Sequence, residues 1–588
     1  MSSQNHAPTF DVAQIPFSHH GSWLNISAIT AEHVVADDLH LITHQTGFHP
    51  VLALIPWIDA ARVPTTISAR PSALSWHHPD GRIDVAFEAA DTVRLRGTGV
   101  GMRFAAATGT LTPFSGSYFF TNPADGSHTW TSYETGRRYR ITALHGAVTA
   151  DGDQALGPAD RAVTVTPDGA DGHWEVAVEE MTAARTPYAA AQAFDRVSAA
   201  AAAHFASFAD DIAPWRSART PAAELAAYVL WSATVRAAGF LARDSVLMSK
   251  HWMDKVWSWD HCFNGMALAA GRPAAALDQF LTPFDHQDEA GALPDSVTHS
   301  EILYNFVKPP IHGWALTQIR ARMADDFDPA TLLGLYSALS RWMRFWLDAR
   351  RAPGHRLAHY QHGNDSGWDN ATAFDGTRVA ETADLAGFMV QTSGVLAGLA
   401  DELGLDAESA GWADQADALR TAMLGELWDG TRFVTRDPLG GQCHPSRSLL
   451  NLLPIAIGDQ LPEPVREQLA ATIREHLTPW GLATEPPSSP EYRPDGYWRG
   501  PIWAPSTVLV EDGLRRAGYV ELADDISTRF RALCEKSGFA ENFDALTGDG
   551  LRDRAYTWTA SAYLLLAGDA ERRTRSVERA EDPAVAWA

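Results

Sequence analysis

About twelve stretches with helical periodicity follow one another from Pro221 to Ala567, and the connections between them alternate between short and long. They fall near Pro221–Leu241, Asp260–Ala270, Arg272–Leu281, Gly313–Met323, Pro329–Arg350, Thr382–Leu403, Ala407–Leu427, Ser446–Ile457, Pro464–Glu475, Ala504–Ala517, Val520–Lys536 and Tyr556–Ala567. This alternation fits an (α/α)6 barrel, in which inner helices enclose a cavity and the long loops gather at one mouth. An α-solenoid would show self-similarity at a fixed period, and none is visible.

The preceding region is built differently. From about Phe17 to Glu180 the chain offers short β-branched or alternating runs, among them His33–Ile42, Arg82–Phe87, Thr92–Gly97, Arg138–Ala143 and Arg161–Pro167. Gly, Pro, Asp and Asn punctuate them. Many short strands at close spacing predict an antiparallel β-sandwich. Thr186–Ala209 is rich in Ala and predicts a helical connector. The expected organisation is therefore mainly α: a sandwich-like domain over 1–184, a helical linker over 185–220, the catalytic barrel over 221–570 and a flexible tail over 571–588.

Composition narrows the function. A formal net charge of -25 argues against nucleic acid and anionic membranes as partners. No uninterrupted apolar run approaches ~18 residues. Met1–Gln14 is polar and lacks the apolar core of a signal peptide, so the expected location is cytoplasmic. Cys262, Cys443 and Cys534 are far apart and imply neither a disulfide framework nor a zinc site. The basic residues are almost all Arg, with Lys only at Lys250, Lys255, Lys308 and Lys536. The 21 Trp exceed ordinary usage and serve either a large aromatic core or sugar binding, since an indole offers a flat face to pyranose C–H groups.

The unusual residues lie in the long connections Lys250–Asp260, His286–His312, Gly354–Glu381, Thr478–Trp503 and Gly538–Ala555. V-W-S-W-D-H-C-F sets Trp257 and Trp259 before Asp260, which either binds vicinal sugar hydroxyls or caps the following helix. H-Q-D-E-A-G-A-L-P-D offers Gln287, Asp288, Glu289 and Asp295, and acidic loops of this kind are common on surfaces. H-G-N-D-S-G-W-D-N places Asp365 and Asp369 four apart around Trp368. A carboxylic acid against an indole wall has its neutral form favoured, as a general acid requires, although Asp369 also reads as a turn residue. D-G-Y-W-R-G-P-I-W surrounds Arg499 with Tyr497, Trp498 and Trp503. F-A-E-N-F-D-A-L-T-G brackets Glu541 with Phe539 and Phe543, so it is not fully solvated. Two separated carboxylates suit glycoside hydrolysis, and no G-x-S-x-G, H-E-x-x-H or P-loop stands in a suitable context.

Trp257–Asp260, Ser366–Asn370, Tyr497–Trp503 and Glu541–Gly548 together resemble the signature segments of glycoside hydrolase family 63, whose clan also resembles trehalases and glycogen-debranching glucosidases. The resemblance covers about Pro214 to Ala567, and the β-rich part is similar in kind to the sandwich preceding the barrel in many members. It implies an exo-acting inverting α-glycosidase without metal or organic cofactor, with its acid on Asp369 and its base on Glu541. Asp365 departs from the family pattern, which more often has Glu, and is given only a supporting role. Trp257, Trp259, Asp260, Gln287, Trp368, Tyr497, Trp498, Arg499 and Trp503 would line the sugar subsite. The carboxyl groups of an inverting enzyme lie about 6.5–9.5 Å apart.

The expected partner is a small carbohydrate. Glucose is the first choice of sugar, which makes the expectation an α-glucosidase. An α-mannosidase or a glycosylglycerate-type hydrolase of the same fold is the alternative. An (α/α)6 epimerase working through His251, His261, His286, His312 or His362 stays open, as does a non-catalytic carbohydrate-binding protein.

Overall fold

The computed structural model describes residues 7–31, 34–107, 116–168 and 172–580. The chain divides into two compact units. The first holds the residues up to Asp210 with Ala227–Asp254 and Thr298–Ser300, and the second holds Asp211–Ala226, Lys255–Val297 and the chain from Glu301 onward. The units exchange chain several times, where a single linker over 185–220 was expected.

The first unit is antiparallel β. One eight-stranded sheet runs from Phe17–Ser18 through Leu24–Ala31, Val34–Thr43, His49–Ile58, Gly101–Ala106 and Ala162–Thr166 to Ala147–Asp151. The other, also eight-stranded, runs from Ser117–Thr121 to Thr66–Arg70 by way of Arg138–His145, His173–Met181 and Thr92–Thr98. Their inward residues share one core: Leu54, Phe104 and Val163 from the first sheet meet Trp76, Leu95, Trp130 and Val176 from the second. The alternation of side chains along a strand makes this possible, since every second residue points inward. Strands occur at all five singled-out runs, though His33 lies outside the described residues.

In chain order the last strand of these sheets is followed by α1 (Phe194–Ile212) and α2 (Ala223–Ala233). The connector helix starts later than the Ala-rich run because Pro187 holds the preceding chain extended. The stretch expected to be helical up to Leu241 stops at Ala233, where β-branched Thr234 and Val235 pair with Ser245 and Val246 as strands.

The second unit contains α3 (His261–Leu268), α4 (Pro273–Leu281), α5 (His312–Arg320), α6 (Pro329–Ala349), α7 (Ala383–Glu402) and α8 (Asp406–Glu426). A 3-10 segment (Leu449–Gln460) follows, then α9 (Glu463–His476), α10 (Ala504–Arg516), α11 (Val520–Ser537) and α12 (Thr557–Ala580). Every second element packs into a closed circuit: α3 on α5, α5 on α7, α7 on the 3-10 segment, that segment on α10, α10 on α12, and α12 back on α3. The elements between them, α4, α6, α8, α9 and α11, each pack against a member of that circuit.

Sequence explains the division of labour. All residues of α3 are buried, as in a helix apolar on every side. In contrast, α8 buries only Trp412, Ala416, Leu419, Ala422 and Met423, one stripe of an otherwise polar helix. By length and composition α7 could cross a membrane, but it is mostly buried among its neighbours.

Two expectations are corrected here. Ser446–Ile457 was read as an α-helix, but Pro454 removes a donor and Gly458 turns to φ 61°, so the segment winds as 3-10. The tail expected from Glu571 is helical up to Ala580, because buried Glu571 accepts two bonds of 2.8 Å from the Arg219 guanidinium. Residues 581–588 lie outside the described set.

The short connections lead into the outer helices, whereas the long ones, such as 350–382, 477–503 and 538–556, lead into the N-termini of the circuit helices. The sequence motifs are therefore carried at one kind of junction. Leu396 is fully buried in α7. Leu396→Ala should cost about 2–5 kcal/mol, and an unchanged denaturation midpoint would show that α7 is not packed this way.

Candidate active site

The site grows from loops pinned to one another by backbone pairing. Val256–Trp257 pairs with Ser296–Val297, and that strand with Ile302–Leu303. This joins the segment ending at Asp260 to the one carrying Asp295. Asp260 precedes α3 but makes no capping bond, so the helix-cap reading of this residue does not hold. Asp295 pairs with Lys308 at 3.1 Å, and the same ammonium donates to the Asn364 carbonyl at 2.9 Å. Lys308 therefore links the Asp295 loop to the one carrying Asp369.

Asp365 fixes that link. Its carboxylate accepts from the Val307 N–H (3.1 Å), the Gln361 N–H (2.8 Å) and the Arg350 guanidinium (2.7 Å). The supporting role expected of it is thus an anchor for the backbone on both sides. Beyond it, Gly367 adopts φ 73°, and a Cβ there would lie 2.5 Å from the Trp259 ring. Only glycine combines that conformation with that approach. Asn370 then staples the loop onward: its amide donates to the Gly496 carbonyl (3.0 Å) and accepts from the Trp498 N–H (3.0 Å).

Glu541 stands at the base of a hairpin. Asn542–Phe543 pairs with Gly550–Leu551, and Phe543 exchanges two backbone bonds with Ile502, beside Trp503. The Glu541 side chain is 1% exposed. The Tyr497 hydroxyl and Arg552 lie close enough to favour its anion. Tyr497 itself has φ 62°, an uncommon conformation for a bulky residue and a mark of backbone strain. Its ring packs edge-on against Trp503 at 4.9 Å and under the Arg552 guanidinium at 5.0 Å.

The carboxylates share one field. Burial pushes Asp260 well above the usual carboxylate range, with Asp295 and Asp369 adding to the rise and Lys308 opposing it. Burial also raises Asp369, again against the pull of Lys308. Glu541 is pushed up to about 8, first by burial and then by the charge of Asp553, while Arg552 and Tyr497 favour its anion and Asp369 disfavours it. Among the described residues, Asp260 Oδ2 and Glu541 Oε1 have no hydrogen-bond partner. Glu541, at about 8, can hold or release a proton at near-neutral pH, and both oxygens can meet hydroxyl groups of a ligand.

The indoles pack mainly on one another. Trp368 lies on Trp498 (4.5 Å), Trp498 stacks on Trp503 (4.0 Å, 6°), and Trp503 and Trp259 each meet Trp558 edge-on (5.6 Å). Trp259 in turn rests against Gly367, next to Trp368, which closes the circuit. All five are nearly fully buried. They are the wall behind the carboxylates, and Trp257, half-buried, keeps more accessible surface.

Two expected subsite residues are occupied elsewhere. Gln287 donates to the Gly291 and Ala338 carbonyls (2.9 and 3.1 Å), so its amide nitrogen holds the loop. Arg499 donates to the Asn370 carbonyl (2.7 Å) and pairs with Asp375, bracing the loop rather than meeting a buried carboxylate of the cluster. Of the histidines that an epimerase could use, His312 is poorly placed to act. His312 is fully buried against the Ser258 carbonyl (2.9 Å), and burial lowers its pKa to about 4.

The sequence reading missed Lys308, Asn370, Arg552 and Trp558. Lys308 carried a signal: it is one of four lysines in an Arg-rich chain and stands directly before Pro309 and Pro310.

Residues 253–559, which contain Asp260, Asp369 and Glu541, match the family model of the "Mannosylglycerate hydrolase MGH1-like glycoside hydrolase domain". The chain belongs to glycoside hydrolase family 63. A mannosylglycerate hydrolase of Thermus thermophilus is 32% identical over 149 residues, 24% of this chain and 35% of that protein. One of Rubrobacter radiotolerans is 23% identical over 401 residues, 52% of this chain and 89% of that one. The solved structure of a family 63 mannosylglycerate hydrolase from Thermus thermophilus in complex with glucose has the same fold over 59% of this chain and all of its own (20% identity, TM-score 0.53). Family membership makes this chain a glycoside hydrolase.

Two measurements test the site. Gly367→Ala forces the Trp259 ring away, and kcat/KM should fall about a hundredfold, as a misplacement of 1 Å can cause; unchanged turnover would disconnect the indole circuit from the chemistry. The second concerns proton binding. With Glu541 at about 8 when folded and 4.5 when unfolded, the folded chain binds the extra proton between those values. Stability is therefore full below 4.5 and falls as pH rises through 8. Glu541→Gln, which cannot ionise, should show a smaller drop in Tm between pH 5 and 9 than the wild type; an equal drop would refute the raised value.

Proposed function

We propose that this chain is an exo-acting, inverting hydrolase of small α-glycosides, of the glycosylglycerate type, with Asp369 as acid and Glu541 as base. The observation that carries the reading is that the family match spans the whole carboxylate cluster. The relatives are named for mannosylglycerate, a sugar on a small hydroxy acid. This displaces the expectation of an α-glucosidase acting on oligosaccharides. The closed helix circuit, with long loops entering its members, supports an (α/α)6 barrel around the site.

In this mechanism Asp369 donates its proton to the glycosidic oxygen as the C–O bond breaks. Glu541 accepts a proton from the water attacking the opposite face, giving a sugar of inverted configuration and a free aglycone. The separation of roles needs the pair to hold one proton. Burial raises both groups, the charge of Asp295 raises Asp369 and that of Asp369 raises Glu541, which favours a singly protonated pair. Field alone would keep the proton longer on Glu541. Arg552 and the Tyr497 hydroxyl, both stabilising its anion, support the base role, and Tyr497 stays a donor because its own pKa is pushed well above 10.

Leaving-group chemistry separates the roles. Asp369→Asn and Glu541→Gln should each lose at least about a thousandfold in kcat on mannosylglycerate. A dinitrophenyl glycoside, whose aglycone departs without a proton, should restore turnover to Asp369→Asn only. Recovery in Glu541→Gln instead would exchange the two roles, and near-normal turnover of mannosylglycerate in either variant would end the assignment. The first-formed anomer, read by NMR, should be inverted. Mannosyl- or glucosylglycerate should be cleaved with higher kcat/KM than maltose or trehalose, and the reverse order would overturn the glycosylglycerate reading.

A further inference from the structure

Away from the carboxylate cluster, two adjoining cavities lie beside the 3-10 segment. One, of about 330 Å³, has Asn451, His476, Arg447, Glu475, Phe433 and Leu452 among its lining residues. The other, of about 390 Å³, reaches Thr372 and Glu485 and shares Arg432, Ser446 and Arg447 with the first. Such volumes fall in the range of small-molecule sites, about 300–1,000 Å³.

Asn451 is the telling group. It is 2% exposed, and neither the nitrogen nor the oxygen of its amide has a hydrogen-bond partner among the described residues. Buried amides are nearly always satisfied, and an unsatisfied one facing a cavity calls for a ligand that both donates and accepts. His476, also buried, offers a matching acceptor. Its Nδ1–H donates to the Ala483 carbonyl at 2.8 Å, and burial lowers its pKa to about 4, so Nε2 is unprotonated. The charged groups are opposed, with Arg447 on Glu475 at 3.1 Å and on the Ser488 hydroxyl at 3.0 Å. Phe433 and Leu452, both buried, supply apolar wall. Mixed donors and acceptors, balanced charge and an apolar face match hydroxyl groups on a C–H-bearing ring.

We propose that this cavity is a second carbohydrate site, taking one pyranose or a polyol of similar size, with Asn451 and His476 meeting its hydroxyls. It adjoins the chemistry through Thr372, on the loop of Asp369: the Thr372 hydroxyl bonds the Ser446 hydroxyl at 2.7 Å and Glu485 at 2.8 Å. The sugar is either a further unit of a substrate or a free sugar that acts on the loop. The proposal does not depend on which glycoside is cut.

Titration calorimetry with D-glucose and D-mannose tests it. The wild type should show two binding events, of which Asp260→Ala removes one and Asn451→Leu weakens the other at least about tenfold. Arg447→Gln, at a partly exposed position, gives the same reading should Asn451→Leu fail to fold. Turnover of a p-nitrophenyl glycoside should stay within about twofold in both cavity variants. A single event in the wild type, or two that survive both cavity variants, overturns the proposal. Kinetics identify the source. A substrate unit raises KM in Asn451→Leu for glycosides with a sugar aglycone only, and a free sugar alters wild-type p-nitrophenyl turnover but not that of the variant. Loss of all hydrolysis would leave the calorimetry readable, so this proposal and the glycosylglycerate reading fail separately.

Discussion

Several carboxylates are buried close enough to feel one another's charge, and the surrounding loops hold them against that repulsion. Asp260, Asp369 and Glu541 are all raised by burial, and negative neighbours raise them further. Like charges in a poorly solvated place are tolerated only if some are neutral or are paired with a cation. Lys308 is that cation on one side and Arg552 on the other. Each is tied to more than one loop, so the charge balance and the backbone architecture are the same set of contacts. Removing either cation would change both.

The indole circuit solves a different problem. Water in the wall would screen the carboxylates and return them to ordinary acidity, whereas a dry aromatic wall keeps the field strong. Trp259, Trp558, Trp503, Trp498 and Trp368 reach from the loop before α3 to the loop before α7 by way of α12 and the loop before α10. Their contacts therefore set the relative positions of the segments carrying Asp260, Asp369 and Tyr497. These five of the Trp residues accordingly serve stiffness, whereas Trp257 beside them is half-buried.

The helical region was legible because its signal is periodic and repeated. Long amphipathic or apolar stretches announce themselves, and α3 to α12 stand close to the expected places. The failures have local causes. Pro454 and Gly458 override a helical pattern, and the bond between Glu571 and Arg219 extends a helix past the point where its apolar face fades. The motif residues were legible because aromatic and acidic residues cluster unusually in the long loops. What each residue does there was less so. Gln287 and Arg499 look like ligand-binding groups by type, yet their partners are backbone carbonyls and Asp375. Lys308 was overlooked because its partners, Asp295 and Asn364, lie far from it in sequence. Hydrogen-bond partners of this kind are a property of the folded chain, and no spacing rule encodes them.

The strain at Tyr497 follows from the same logic. A tyrosine in the left-handed region is held there by neighbours on every side: Arg552 over one face, Trp503 at its edge, and the Trp503 indole N–H on its carbonyl at 2.8 Å. The neighbouring chain is fixed independently, through the bonds of Asn370 to Gly496 and Trp498. Backbone and ring are thus both constrained, and the phenol is one of the groups that favour the Glu541 anion. A relaxed backbone would cost less in folding but would leave the phenol free to turn to solvent. A phenol fixed in advance beside Glu541 needs no reorientation when the charge on that carboxylate changes, and backbone strain is one way of fixing it.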